Sequence, residues 1–172
     1  MIIRNFILTD TPSFVKYRND PIVAKYQSWK IPFSESEAKK FIQDQSINEI
    51  GKKTAWHQVA IELIQESEHI GDCGIYTSMD GKQAEIGITL AREHQHKGYA
   101  LETMQGLFKF LFTKLSYHRI TTLVDSNNES SLKLMEKLKM RKEAYYIESY
   151  YTGTKWTDEV QFALLEKEFI ED

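Results

Sequence analysis

The sequence predicts a single α/β (α+β) domain with a mixed, mostly antiparallel central sheet flanked by helices. Three strand-like segments rich in β-branched and aromatic residues follow one another between residues 54 and 90. Asp80-Gly81 lies between the second and the third segment and is a strong hairpin signal, so these strands are expected to be antiparallel. Directly afterwards, apolar residues three and four positions apart, up to Phe112, predict a long amphipathic helix.

Helix caps and chain breakers define the elements that precede this sheet. Thr11 is placed as an N-cap with Pro12 at the first helical position. Ser34 and Glu37 have the spacing of a capping box. The predicted elements are a strand over residues 2–6, a helix from Pro12 to the Asn19-Asp20-Pro21 break, a short helix over 22–26, and a helix from Ser34 to about Ile50 that Gly51 ends.

Strand patterns and two helical patterns account for the rest of the chain. A polar turn from Asp125 to Asn128 separates a short apolar strand from the second amphipathic helix. The predicted elements are strands over 54–65, 69–78 and 83–90, the long helix opened by residues 98–100, a strand over 118–124, a helix over 130–138, a hairpin of strands over 144–151 and 156–165, and a charged tail.

Composition fits one globular domain over residues 1–172. Hydrophobic residues make up 41% and charged residues 27% of the chain, and the net charge is −3. This charge does not indicate a nucleic-acid-binding surface, although it tolerates a cationic amine. Cys73 is the only cysteine, which excludes an intrachain disulfide and a Cys-based zinc cluster. The sequence has no signal-peptide pattern and no apolar stretch long enough for a membrane span, so we expect a cytoplasmic protein.

The join between the third strand and the long helix is a predicted anion site. The first N–H groups of a helix have no intrahelical partner, and the helix dipole adds positive potential there. Gly98 allows an anion to approach the backbone closely, and His96 and Lys97 add donors nearby. A strand, loop and helix start of this kind is suited to binding phosphate.

Four stretches, in the right order, resemble the GNAT superfamily of N-acetyltransferases. Gln95-His96-Lys97-Gly98-Tyr99-Ala100 resembles its Q/R-x-x-G-x-G/A signature, and residues 128–138 resemble its N-x-x-S-x-x-x-x-E-K-L segment. Residues 154–164 resemble the W-x-D-x-x-x-[FY]-A-L ending of the RimJ/RimL-type ribosomal-protein N-acetyltransferases, as does the N-terminal strand with its Pro-started helix. One departure is Lys139-Met140, which replaces the Gly-Phe that usually follows the second helix.

The resemblance implies a GNAT-like fold with splayed strands at a site for acetyl-CoA, and no metal. The loop would hold the pyrophosphate through its backbone N–H groups, and its residues are Gln95, His96, Lys97, Gly98, Tyr99 and Ala100. The end of the preceding strand would hydrogen-bond the pantetheine arm like an added strand. The remaining expected cofactor contacts are Ile88, Thr89 and Leu90 on that strand, Asn128 and Ser131 near the second helix start, and Lys137 at the adenosine phosphate. For Lys137, a solvated lysine on the helix surface is the alternative.

Glu85 is the first candidate for the general base. An attacking amine is protonated at neutral pH and must lose a proton, and some histone-directed relatives use a Glu at the corresponding position. The alternative is a Glu on a solvated strand face. Ser131 is the candidate donor to the departing thiolate, with helix capping as its alternative, because the helix after Asn128 lacks the Tyr that many relatives carry. His57 and His118 are weaker candidates.

Three functions fit these residues. The first is acetylation of a protein or peptide N-terminal amine, such as that of a ribosomal protein; the second uses a small amine, namely a polyamine, an amino acid or an antibiotic. The third is a non-catalytic acyl-CoA-binding module. Aromatic residues near both ends of the chain are candidate acceptor contacts or plain core: Tyr26, Trp29, Phe33, Tyr150, Tyr151 and Trp156. Exposed strand surface in the last hairpin permits a homodimer.

Overall fold

The chain forms a seven-stranded sheet with helices on both faces in the computed structural model, which describes residues 1–46 and 50–169. The strands are β1 (Ile2–Arg4), β2 (Ala55–Leu63), β3 (Glu68–Thr77), β4 (Gln83–Leu90), β5 (Arg119–Asp125), β6 (Arg141–Tyr151) and β7 (Trp156–Leu165). The helices are α1 (Thr11–Arg18), α2 (Pro21–Ala24), α3 (Glu35–Ser46), α4 (Tyr99–Thr113) and α5 (Glu129–Lys137), with single 3-10 turns at Leu8–Asp10, Arg92–His94 and Glu166–Glu168. Among the described residues, no helix combines the length and apolarity of a membrane span.

The sheet is mixed and mostly antiparallel, as the sequence predicts. Its strand order is β1-β2-β3-β4-β5-β7-β6, and β4 with β5 is the parallel pair between otherwise antiparallel neighbours. β4 and β5 pair at only three positions, which end at Glu85 and Thr121. Beyond that point β4 continues to Leu90 and β5 to Asp125 without pairing to each other, in a part of the chain that is fully described. The two central strands therefore splay apart at their C-terminal ends.

Each face of the sheet has its own hydrophobic core. On one face, α4 packs its buried Met104, Leu107 and Phe108 against strand residues such as Ile75 and Ile86. On the other face, α1 and α3 enclose a smaller cluster that is rich in aromatic residues: Phe6, Phe14, Tyr17, Val23, Ala38, Ile42, Ala60 and Ala91. Because side chains alternate along a strand, Val59 and Ile61 of β2 belong to the larger core, and Ala60 between them belongs to the smaller one.

The smaller core contains a buried ion pair. The guanidinium of Arg18 lies 3.6 Å from the Asp72 carboxylate on β3, and the Tyr17 hydroxyl donates a hydrogen bond to the same carboxylate. Both charged side chains are about 95% buried. Four aromatic rings surround the Arg18 guanidinium at 4.1 to 5.8 Å from its carbon, and they belong to Trp29, Phe14, Phe41 and Phe33. Trp29 and Phe33 are therefore packing partners of Arg18.

The starts of α3 and α1 test the predictions from capping residues. The predicted capping box of α3 is present, because the Glu37 amide donates to Ser34 Oγ (3.2 Å) and the Ser34 amide donates to Glu37 Oε2 (2.8 Å). The prediction for α1 was wrong by one residue, since Asp10 is the N-cap. A 3-10 turn ends at Asp10, so Thr11 already has helical dihedral angles, φ −51° and ψ −48°.

Most predicted element bounds differ from the observed ones by a few residues. β1 is shorter than predicted and ends at Arg4, and α2 spans Pro21–Ala24. β6 begins at Arg141 instead of Ala144, because a charged segment without apolar alternation still pairs with β7 at the sheet edge. The predicted end of α3 falls partly on residues 47–49, which lie outside the described residues.

The turn after α5 keeps the geometry of a glycine cap although it lacks the glycine. Lys139 adopts a left-handed conformation with φ +56°. Its amide donates to the Glu136 carbonyl (3.0 Å), and the Met140 amide donates to the Met135 carbonyl (3.1 Å). These two hydrogen bonds are those of a Schellman motif, and the Met140 side chain is buried in the larger core. The departure from Gly-Phe therefore leaves the path into β6 intact.

Candidate active site

Glu85 lies where the parallel pairing of β4 and β5 ends. Its neighbours Ala84 and Ile86 point into the core beneath α4, so Glu85 points to the opposite face, the one that carries α1 and α3. The side chain is half-buried, and burial raises its pKa above the ordinary value for Glu. The nearby carboxylate of Glu159 on β7 raises the pKa of Glu85 further. Such a group accepts a proton more readily than an ordinary carboxylate.

Aromatic side chains occupy the same row of the sheet as Glu85. The strand register aligns Trp56 on β2, Tyr76 on β3, Glu85 on β4 and Thr121 on β5. The rings of Trp56 and Tyr76 are 5.6 Å apart, and Trp56 is 47% exposed. Sequence reasoning missed both as site residues, although the Asp80-Gly81 turn already predicts that Tyr76 pairs with Glu85.

An open patch lies beside Glu85 on the same face. Gly87 on β4 is exposed although it is on a central strand, and an added Cβ there would meet no atom within 4 Å. Its partner across the strand pair is Gly74, over which the Gln58 side chain packs. Because Gly87 has no side chain, nothing projects from the sheet next to the Glu85 carboxylate at this position, and a small group can approach.

The splayed end of β4 contains the three residues expected at the pantetheine arm. Ile88, Thr89 and Leu90 pair with β3 on one side and with no strand on the β5 side, within the described residues. Ile88 is half-buried, and Thr89 and Leu90 are buried. The Leu90 carbonyl already accepts a hydrogen bond from Gln95 Nε2 (3.0 Å). The strand edge toward β5 is therefore available for an extended ligand.

The loop before α4 forms an anion cradle from backbone groups. Gly98 is the N-cap of α4 with φ +86°, and no side chain caps the helix there. The first helical hydrogen bond runs from the Glu102 amide to the Gly98 carbonyl (3.1 Å), which leaves the amides of Tyr99, Ala100 and Leu101 without an intrahelical partner. An added Cβ on Gly98 would meet no atom within 4 Å, so the space beside Gly98 is open. The cradle fits a phosphate group.

Some side chains of this loop are exposed donors, and others are anchors that attach the loop to the sheet. His96 and Lys97 are exposed, and His96 has φ +60°. Gln95 is an anchor, because its amide binds the end of β4. His94, which sequence reasoning did not single out, is buried beneath the loop, with its Nε2 3.3 Å from Glu68 Oε1 and its ring centre 6.3 Å from that of Tyr99. These two side chains attach the loop to β4 and β3.

The start of α5 places Asn128 and Ser131 together. Asn128 is the N-cap of α5, and its Oδ1 accepts the Ser131 amide (3.2 Å). Because the oxygen is occupied, the Asn128 side chain offers its N–H groups as donors to a ligand. Lys137 lies elsewhere, at the last residue of α5, about 13 Å along the helix from Asn128. There it lines a cavity of about 270 Å³ between α4, α5 and the C-terminal segment, together with Phe108, Lys109, Leu164 and Phe169 among others.

The other titratable candidates lie away from Glu85. His57 is buried on the face opposite to Trp56 and Glu85, and burial lowers its pKa. His118 precedes β5 at the paired end, where its amide donates to the Lys82 carbonyl (2.7 Å). Cys73 is fully buried, and burial raises the pKa of its thiol well above the usual range, which disfavours the thiolate. In the described part of the chain, no group of three or more His, Cys, Asp or Glu side chains is placed to hold a metal ion.

Comparisons with known proteins agree with this arrangement. The family described as "Acetyltransferase (GNAT) domain" matches residues 1–141. "Uncharacterized N-acetyltransferase p20" of Bacillus licheniformis is 32% identical over 171 residues, which cover 98% of this chain and 94% of the relative. Among solved structures, a GNAT-family acetyltransferase from Bacillus anthracis superposes with a TM-score of 0.85 at 30% identity, covering 96% of this chain and 95% of its own.

A second solved structure shares the fold at lower identity. The spermidine N-acetyltransferase of Vibrio cholerae, in complex with CoA and spermine, has a TM-score of 0.84 at 20% identity and covers 99% of this chain and 98% of its own. The family match, the extent of the p20 similarity and the splayed strands beside an anion cradle lead to one assignment. The chain belongs to the GNAT acetyltransferase family and is an acetyltransferase that uses acetyl-CoA.

Proposed function

We propose that the protein acetylates a primary amine by direct attack on acetyl-CoA, with Glu85 as the general base. The observation that carries this proposal is the half-buried Glu85 carboxylate, which lies beside an open patch and at the start of the splay. Its raised pKa suits the removal of a proton from an ammonium group, since a stronger base accepts that proton more readily. Direct attack is also consistent with the burial of Cys73, which raises the pKa of its thiol and makes it a poor acyl carrier.

The two sides of the splay would hold the acetyl donor. The amides of Tyr99 and Ala100, aided by the loop from Gln95 to Gly98, would bind the pyrophosphate. The unpaired edge of Ile88 to Leu90 and the Asn128 amide would bind the pantetheine arm, and an N–H of that edge would polarise the acetyl carbonyl. Ser131 would donate to the departing thiolate. Acetyl-CoA supplies the activated acetyl group, and the chain supplies orientation and proton transfer.

We propose a protein or peptide N-terminal amine as the acceptor, in keeping with a place in the RimJ/RimL-type branch and in the cytoplasm. The exposed Trp56 and half-buried Tyr76 beside Glu85 support this acceptor, because aromatic side chains can pack against the first residues of a peptide. A polyamine is the second candidate. The carboxylates of Glu85 and Glu159 lie close enough to interact, and a second positive charge on the acceptor would relieve their repulsion.

Free-thiol release from acetyl-CoA distinguishes these acceptors. Purified protein is assayed with peptides, polyamines, amino acids and aminoglycosides, and acetylated products are identified by mass spectrometry. We expect acceptor-dependent release with peptides that have a free N-terminus and none with N-terminally blocked peptides. Release with polyamines alone would select the second candidate. Tight CoA binding without release from any acceptor would contradict the proposed reaction.

The cradle is tested by Gly98→Ala. Alanine at φ +86° is strained by roughly 1 kcal/mol, and its Cβ would enter the open space beside Gly98 at the start of α4. We expect the dissociation constant of CoA, measured by calorimetry, to rise by about 10-fold, which corresponds to roughly 1.4 kcal/mol. Turnover at saturating acetyl-CoA should change little, because the lost contact acts in the ground state and transition state alike.

Gly106→Ala is the matched control for Gly98→Ala. Gly106 is a glycine on the same helix, and an added Cβ there also meets no atom within 4 Å. CoA affinity should be unchanged in this variant, while alanine in a helix interior stabilises the fold. Equal CoA affinity of Gly98→Ala and the parent protein would exclude the cradle as the phosphate site.

A further inference from the structure

His94 links the start of β3 to the start of α4. It is the last residue of the 3-10 turn at Arg92–His94, and its side chain is 10% exposed. Its Nε2 lies 3.3 Å from Glu68 Oε1, and because a carboxylate oxygen accepts, the imidazole donates this hydrogen bond. The ring centre lies 6.3 Å from that of Tyr99. Glu68 is the first residue of β3 and Tyr99 the first of α4, so His94 connects the sheet to the helix whose amides form the cradle.

The second ring nitrogen of His94 is buried without a hydrogen bond. Nδ1 has no hydrogen-bond partner within residues 1–46 and 50–169. A buried polar atom without a hydrogen bond costs free energy, and a phenylalanine ring at this position would avoid that cost. Packing alone therefore does not account for an imidazole beneath the loop. The feature that the imidazole adds is the hydrogen bond to Glu68.

Two other side-chain contacts hold the loop before α4, and neither of them reaches the helix. Gln95 Nε2 donates to the Leu90 carbonyl, which attaches the loop to the strand that it follows. The Lys16–Glu93 ion pair joins α1 to the 3-10 turn, but the two side chains are 73% and 46% exposed, so the pair contributes little to stability. Of these three contacts, the one made by His94 is the contact that reaches α4.

The cradle depends on such support because a glycine precedes it. A hydrogen bond from a backbone N–H weakens steeply when the donor points away from the acceptor, so the amides of Tyr99 and Ala100 must keep one direction. Gly98 has φ +86°, and glycine populates positive and negative φ about equally readily. The Tyr99 side chain is half-buried against the larger core, and the His94 ring lies beside it. This packing restricts rotation of Tyr99 about the backbone of Gly98.

We infer that His94, held by Glu68, is a positioning residue for the acetyl donor, because it fixes Tyr99 and with it the direction of the first amides of α4. The inference rests on the proposed function, in which these amides bind the pyrophosphate of acetyl-CoA. A cradle that is ordered before binding avoids the loss of affinity that ordering it during binding would cause. His94 acts through Tyr99 and not on the reacting groups, so it contributes to cofactor binding and not to the chemical step.

A double-mutant cycle tests this link through the dissociation constant of CoA, measured by calorimetry. His94→Phe removes the hydrogen bond and keeps a ring, whereas Glu68→Ala removes the acceptor and keeps the imidazole. Each single variant should raise the dissociation constant roughly 5-fold, the effect of one hydrogen bond of typical strength. Because both substitutions break the same link, the double variant should also show a rise of roughly 5-fold, whereas independent effects would multiply to roughly 25-fold.

Turnover separates positioning from a general loss of structure. In all three variants, kcat at saturating acetyl-CoA and KM for the amine should stay within about 2-fold of the parent values, while KM for acetyl-CoA rises. Glu68→Gln keeps an amide oxygen that accepts from Nε2, so its CoA affinity should be within about 2-fold of the parent's. The Glu68 side chain is 50% exposed, so Glu68→Ala leaves the core intact and tests the link even where His94→Phe does not fold.

His57→Phe is the matched control. His57 is also a buried histidine, and neither of its ring nitrogens has a hydrogen-bond partner among the described residues. It pairs with Ile75, which lies about 23 Å along β3 from Glu68. The CoA affinity of this variant should equal that of the parent protein.

The affinity of Gly98→Ala for CoA distinguishes a failure of this inference from a failure of the cradle. Parent-like CoA affinity in His94→Phe or in Glu68→Ala, or effects that multiply in the double variant, would overturn the inference. If Gly98→Ala still raises the dissociation constant, the amides remain the phosphate site without His94 as their support. If Gly98→Ala also binds CoA like the parent protein, the cradle assignment fails, and the inference fails with it.

Discussion

Glu85→Gln is expected to slow acetyl transfer by roughly 10²–10⁴-fold and at the same time to stabilise the fold at neutral pH. Glutamine keeps the shape of the side chain but cannot accept a proton, so the reaction loses its general base. The two effects have one physical cause. The carboxylate that is half-buried beside Glu159 is costly to ionise, and the same cost makes it a stronger base.

The sign of the stability effect follows from the direction of the pKa shift. The pKa of Glu85 is higher in the folded protein than in the unfolded chain, so the folded state favours the protonated form. Its stabilising contribution is present below the unfolded pKa and is lost as the pH rises through the folded pKa. The variant should therefore have a higher Tm than the parent protein at about pH 7, and the advantage should vanish below the ordinary Glu pKa of about 4.3.

This prediction is tested by measuring the turnover rate and the Tm of both proteins at both pH values. Glu35→Gln is the control, because Glu35 is an exposed residue of α3 that pairs with Lys39 on the helix surface. It should leave turnover unchanged. Equal turnover of Glu85→Gln and the parent protein at several pH values would remove Glu85 from the mechanism.

Asp72→Asn is expected to cost about 3–5 kcal/mol of unfolding free energy. The substitution removes the charge opposite the Arg18 guanidinium, which is enclosed by aromatic rings and cannot regain water without opening the smaller core. The Tyr17 hydroxyl, which donates to the same carboxylate, also loses a charged acceptor. Removing one partner of a buried pair is costly for this reason, whatever the net contribution of the intact pair.

Urea unfolding measures this cost, and the double variant Arg18→Met, Asp72→Asn identifies its origin. Methionine fills the aromatic cage without a charge, so the double variant should recover more than half of the lost stability. A loss below about 1 kcal/mol in Asp72→Asn would indicate that water reaches the guanidinium, and it would contradict the buried-charge account. A double variant as unstable as Asp72→Asn would point instead to lost hydrogen bonds.

Local signals in the sequence predicted most of the elements. The capping box at Ser34 and the hairpin at Asp80-Gly81 involve residues close in the chain, and both are confirmed. The glycine before an amphipathic helix likewise predicted the cradle at Gly98, whose geometry the structure provides. Such features depend on backbone preferences that a few neighbouring residues express.

Long-range packing accounts for what the sequence alone did not reveal. The hydrogen bond from Tyr26 to Asn127 joins residues 101 positions apart, and no periodic pattern in the sequence predicts it. The exposed Trp56 belongs to a predicted strand, and an aromatic residue at alternating spacing predicts core and open sheet face equally well. Lys137 is expected at the adenosine phosphate only through the family resemblance, and it lies at the end of α5 opposite to Asn128.

Intact-mass spectrometry of one reaction mixture tests the central claim most directly. The protein is incubated with acetyl-CoA alone and with acetyl-CoA plus a peptide that has a free N-terminus. The masses of the protein and of the peptide are then measured. Direct attack assisted by Glu85 predicts that the peptide gains one acetyl group on its terminal amine and that the protein stays unmodified in both mixtures. An acetyl group that accumulates on the protein without acceptor and passes to the peptide on addition would contradict direct transfer.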